Sequence, residues 1–149
     1  MFFNKLLANY SYTTSGTTNV SALRTDNPAL LRQAPNTWNV SPTYDRGRIS
    51  IRVGIAYNQA FIDGYNYTDG APLGVTGPNG DHWFYTHLQL DAQGSVRLAK
   101  GFTAVVYGLN LTNEVFGFYY GSPIWDNQRE FYKPTIGAGL RWSSSVEHN

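Results

Sequence analysis

Pro134-Thr135-Ile136-Gly137-Ala138-Gly139-Leu140-Arg141-Trp142-Ser143 alternates without a break. In an extended strand successive side chains point to opposite faces, so Pro134, Ile136, Ala138, Leu140 and Trp142 share one face and Thr135, Gly137, Gly139, Arg141 and Ser143 the other. One face is wholly apolar and the other small or polar. Working back from this stretch, the same period of two recurs five times. Between residues 48 and 58, Ile49, Ile51, Val53, Ile55 and Tyr57 oppose Arg48, Ser50, Arg52, Gly54, Ala56 and Asn58. Between 86 and 98, Leu88, Leu90, Ala92, Val96 and Leu98 oppose His87, Gln89, Asp91, Gln93, Ser95 and Arg97. Between 37 and 45, Trp38, Val40, Pro42 and Tyr44 oppose Asn39, Ser41 and Thr43, and at the start Leu6, Ala8, Tyr10 and Tyr12 oppose Asn9 and Ser11. Between 102 and 112 the split is less clean: Val105, Tyr107, Leu109 and Leu111 are assigned to the apolar face against Ala104, Val106, Gly108 and Asn110.

Six strands are therefore expected, most close to the ~9–11 residues that cross a bilayer when tilted. Asp45-Arg46-Gly47 and Ala99-Lys100-Gly101 read as tight hairpin turns, with glycine supplying the positive φ. The other connections, about 13–36, 59–81 and 113–133, are long and carry breakers such as Gly77-Pro78-Asn79-Gly80 and Gly121-Ser122-Pro123. Long and short connections alternate. A membrane barrel sorts its connections this way, with short periplasmic turns and long extracellular loops.

Composition narrows the classes further. Lys+Arg number 11 against 10 Asp+Glu, a net charge of +1, which leaves no electrostatic footprint for nucleic acid. The absence of cysteine excludes disulfides and thiolate metal sites. No apolar run approaches the ~18–20 residues of a membrane helix. A soluble β-sheet protein would carry Lys, Glu and Asp on its outward faces. Here the polar faces are mainly Asn, Ser, Thr, Gln, Gly and a few Arg, with His87, Asp91 and no Glu, as suits a hydrated lumen. Aromatics near strand ends (Tyr12, Trp38, Tyr44, Tyr57, Trp83, Phe84, Phe102, Trp142) match the girdles found where rings straddle lipid headgroups.

The fold class expected is all-β, an antiparallel transmembrane β-barrel segment of about six meandering strands. A closed barrel needs about eight strands, and an open sheet would leave amides unpaired in hydrocarbon. Residues 1–142 are thus expected to be part of a longer barrel and 143–149 a polar tail. Met1-Phe2-Phe3-Asn4-Lys5-Leu6-Leu7 has too short an apolar run for a signal peptide, so an export signal is expected upstream.

Tyr107-Gly108-Leu109-Asn110-Leu111-Thr112-Asn113-Glu114, then Gly117-Phe118-Tyr119 and Gln128-Arg129-Glu130-Phe131-Tyr132-Lys133-Pro134, resemble the last two strands and joining loop of TonB-dependent outer-membrane receptors. Leu30-Leu31-Arg32-Gln33-Ala34-Pro35-Asn36-Thr37-Trp38-Asn39-Val40 resembles that family's re-entry from an external loop into a downward strand. The resemblance implies a 22-stranded barrel closed by an N-terminal plug, neither the plug nor the coupling box lying within these residues. It implies energy-coupled uptake of a bulky nutrient such as a siderophore or carbohydrate. The partners implied are outer-membrane lipid, the missing barrel strands and plug, a periplasmic energy-coupling protein acting through that plug, and the barrel-assembly machinery. The final strand, through Ile136, Ala138, Leu140 and the aromatic Trp142, fits the signal that machinery reads.

No catalytic, cofactor or metal site is expected. The chain holds no G-x-S-x-G, no phosphate loop and no H-E-x-x-H, and His82, His87 and His148 lack a third converging ligand. Arg48, Arg52, Arg97 and Arg141 share the polar faces, either as a basic stripe for an anionic substrate or paired with carboxylates of the plug or neighbouring strands. Among the loop aromatics, Tyr65, Tyr67, Phe118, Tyr119 and Trp125 are the candidate ligand-binding residues, either stacking on sugar or catecholate rings or packing the loops. The alternative to a transporter is a secreted β-rich adhesin or carbohydrate-binding module using the same rings. A barrel enzyme is the third reading.

Overall fold

The computed structural model describes residues 4–18, 24–66, 77–99 and 101–144. The period-two stretches become β1 (Lys5–Tyr12), β2 (Asn36–Arg46), β3 (Ile49–Asn58), β6 (His87–Arg97), β7 (Phe102–Leu109) and β10 (Thr135–Trp142). They pair in the order β1-β2-β3-β6-β7-β10, every neighbour antiparallel. Two long connections contain strands of their own: β4 (Phe61–Gly64), β5 (His82–Phe84), β8 (Val115–Tyr120) and β9 (Asp126–Phe131). These form a second antiparallel sheet, order β4-β5-β8-β9. The chain is thus all-β, two open antiparallel sheets. The only helical turn described is a 3-10 turn at Gly77–Asn79.

Register places whole rows of side chains on common faces. Ile136 pairs with Gly108, Ala92 with Gly108, Val53 with Ala92, Val40 with Ile55 and Ala8 with Val40. One face of the six-stranded sheet is therefore apolar across its width. In β7 the register corrects the sequence expectation. Ala104, Val106 and Gly108 lie on the apolar face, while Val105 and Tyr107 oppose Ser95 and Gln93 on the polar one. Both alternate sets of β7 are largely apolar, so only the neighbour strand decides. No second layer covers the apolar face among the described residues: Ile136 is 75% exposed and Leu6 and Leu140 69% each.

The two short turns lie at one end of this sheet and the three long connections at the other. At the short-turn end Gly47 and Gly101 have φ of +57° and +79°, the left-handed region glycine enters freely. At the other end the sheet breaks. Asn110 and Asn113, in the Asn-Leu-Thr-Asn segment, have φ of +52° and +50°, and Lys133 +60°. Asparagine tolerates this backbone because its side chain hydrogen-bonds locally. Here Glu114 N donates to Asn110 Oδ1 at 2.8 Å and Lys133 N to Asn113 Oδ1 at 3.1 Å, tying together the exit from β7 and the entry to β10.

Among the described residues the three long connections, which include the smaller sheet and together make the cap, hold the buried side chains. Ile62 and Tyr119 are the apolar ones, 5% and 7% exposed, beside Arg24 and Asp81. Arg24 Nη1 donates to Asp81 Oδ1 at 2.6 Å and Nη2 to Asp81 Oδ2 at 3.0 Å. Arg24 also meets Asp26, Nε to Oδ1 at 2.7 Å. Asp81 further accepts from Asn66 N through Oδ1 at 2.8 Å, and its backbone carbonyl accepts from Gly121 N at 2.9 Å. One residue thus ties all three long connections together.

Candidate functional site

The polar face of the six-stranded sheet carries a concavity of about 410 Å³ lined by Asn39, Ser41, Arg52, Gln89, Asp91 and Tyr107, among others. Small residues make the room: Gly54 lies in its wall, and Gly137 lets the Tyr107 ring lie flat on β10. A Cβ at Gly137 would sit 2.4 Å from Tyr107 Cζ.

A ladder of polar groups runs along β6. His87 Nε2 lies 3.4 Å from Gln89 Oε1, and Gln89 Nε2 donates to both Asp91 oxygens at 3.0 and 3.1 Å. Asp91 Oδ1 also accepts from Asn110 N at 2.8 Å, fixing the carboxylate to the bend. Arg52, one strand away on β3, is exposed and has no ion-pair partner among the described residues. Amides, a hydroxyl, a carboxylate, a guanidinium and a phenol on one face can hydrogen-bond a polyhydroxylated or amide-rich solute, or a polypeptide filling the same space. Among the described residues no three His, Cys, Asp or Glu are placed to hold a metal.

The candidate ligand-binding aromatics do not gather round one cavity. Phe118 and Tyr119 point to opposite faces of β8. Phe118 stacks on His82 at 4.8 Å and meets Phe84 edge-on at 5.2 Å. Tyr119 is in the cap core, parallel to Trp83 at 6.3 Å, and burial pushes its phenol pKa up. Tyr65 donates its hydroxyl to Ala29 O at 2.5 Å and lies under the Arg24 guanidinium at 5.4 Å. Trp125 is 55% exposed in the hairpin between β8 and β9. Tyr67 lies outside the described residues, as does the tail from 145 on. The rings of Phe61, Phe84, Phe116 and Phe118 largely face one another, so they pack the cap sheet by cross-strand contacts. Ile136, Ala138, Leu140 and Trp142 do share the apolar face of the edge strand β10.

Sequence reasoning missed the cap's ionic centre, because Arg24 and Asp81 are 57 residues apart with no local signal. It also missed the Tyr85 pair with Asp126. Tyr85 donates to Asp126 Oδ1 and to Pro123 O, the latter at 3.0 Å, under the Arg129 guanidinium. Burial first, then the Asp126 carboxylate, push the Tyr85 phenol up to about 12. Asp63 bridges Arg32 Nε at 3.0 Å and His82 Nδ1 at 3.4 Å, with Asn127 Nδ2 3.0 Å from His82 Nε2.

No protein-family model, characterised protein or solved structure matches the chain.

Proposed function

We propose that the six-stranded sheet is an arc of a transmembrane β-barrel in a bacterial outer membrane. In this reading the chain forms the C-terminal wall and external loops of an energy-coupled receptor for a bulky nutrient. The observation that carries it is the apolar face, continuous over six antiparallel strands and covered by nothing among the described residues. A water-soluble sheet needs a second layer on such a face. Strands of 8–11 residues, rising ~3.3 Å each and tilted as in barrels, suit a hydrocarbon core of ~30 Å. The sorting of connections supports the same reading, the cap lying outside and the short turns in the periplasm. The polar face would then line the lumen and carry the solute or a plug.

β1 and β10 are the sheet's edges, and unpaired amides in hydrocarbon cost several kcal/mol each. In this reading further strands of the same receptor pair with them; its plug, the energy-coupling protein acting through that plug, the assembly machinery and lipid are the partners that the receptor resemblance adds.

The test is the native product detected in outer membranes with an antibody against residues 121–130. A membrane band several times 16.7 kDa supports the receptor reading. A band near 16.7 kDa in the soluble or secreted fraction overturns it and leaves a β-rich binding module.

A further inference from the structure

The short-turn end of the polar face carries a second concavity, about 430 Å³, whose lining includes Arg48, Ser50, Ser95, Arg97 and Thr103. Register builds it. Ser50 pairs directly with Ser95, Arg97 with Thr103, and Arg97 N donates to Arg48 O at 2.8 Å, which sets the two arginines side by side. Arg141 follows opposite Thr103 on the next strand. Neighbouring strands lie ~4.8 Å apart, so the two guanidinium stems and the serine pair stand within reach of one small group. Arg97 Nη2 donates to Gly47 O at 2.6 Å, which pins its fork at the turn. Among the described residues Arg48 and Arg141 have no ion-pair partner. Asp45, the acid in the same lining, lies 3.7 Å from Lys5 Nζ in an exposed ion pair.

The Arg48 guanidinium meets no carboxylate among the described residues, and Arg97 keeps the donors that its bond to Gly47 O leaves over, with three hydroxyls beside them. Carboxylate and phosphate oxygens are the acceptors that match a guanidinium fork, and serine and threonine hydroxyls complete the shell. We propose that this cluster is a binding site for a multivalent oxyanion, a phosphoryl or polycarboxylate group on a solute, held by Arg48 and Arg97 with Ser50, Ser95 and Thr103. The site stands on the side-chain cluster and not on whether the apolar face meets lipid. It is open to solvent, so binding is weak and salt-sensitive.

The full chain in detergent, with arginine Nε–H signals followed by NMR, is titrated with inorganic pyrophosphate at ionic strength fixed by sodium chloride. Citrate is run as a separate arm. The expected result is saturable movement of the Arg48 and Arg97 signals, with the stronger of the two anions naming the source chemistry. Arg48→Gln removes a guanidinium that makes no bond to another described residue, and it weakens binding about ten-fold, the scale of one charge-assisted hydrogen bond. Ser95→Ala gives a smaller loss without touching the turn. Non-saturating shifts, shifts that chloride reproduces, or equal affinity in both variants would overturn the proposal.

Discussion

Asp81→Ala tests the idea that one carboxylate holds the long connections together. Asp81 is 1% exposed and binds Arg24 through two guanidinium hydrogen bonds, and it also caps Asn66 N. Removing one partner of a buried pair costs about 3–5 kcal/mol, because the other charge is stranded. Arg24 keeps Asp26, so the loss falls at the lower end, about 3 kcal/mol. By hydrogen exchange that is roughly a hundred-fold faster exchange for amides in β4, β5 and β8, with β2, β3 and β6 unchanged. Arg24→Met with Asp81→Leu should recover much of the loss, since no buried charge is then left unpaired. Cap exchange altered less than about threefold by Asp81→Ala, or a uniform rise across both sheets, would show that Asp81 does not hold the long connections together.

Three further outcomes are expected. Tyr85 should resist ionisation until about pH 12. A raised pKa means stability that is full below the ordinary tyrosine value of ~10 and lost as pH rises through the folded value. In ultraviolet titration Tyr85→Phe should remove that late phenolate step. Gly121 has φ +64° and a Cβ there would lie 2.0 Å from Asn79 O, so Gly121→Ala should cost about 1–2 kcal/mol in backbone conformation alone, before the clash, and loosen the cap to protease. Val53→Arg, in the middle of the apolar face, should destabilise the membrane-inserted state by about 2–4 kcal/mol in a refolding titration, whereas Gln93→Arg on the polar face should change little.

The strands of the wide sheet were legible because each apolar face was uninterrupted, as in β3 and β10. β7 was not, since Val105 and Val106 suit either face and only the pairing with Ser95 and Gly94 assigns them. The cap strands were hidden by their shortness, three residues in β5 and four in β4, and by aromatics on both faces. Trp83 and Phe84 leave no period to read. The Asn110 to Asn113 segment was visible as a motif, but its role as a left-handed bend follows only from the backbone. The polar-face concavity depends on rows of residues brought together from β2, β3, β6 and β7, which no single strand reveals.

The chain has no cysteine, so single cysteines placed in turn along β3, Ile49–Asn58, can be spin-labelled in outer membranes without a background site in this chain. The accessibility of each label to oxygen and to a water-soluble nickel chelate is the most direct measurement. A lipid-facing apolar surface gives a strict period of two: Ile51, Val53 and Ile55 positions favour oxygen, as in lipid, and Arg52, Gly54 and Ala56 positions favour the chelate. Equal access of the chelate to both sets would contradict membrane insertion and place the apolar face against water or protein.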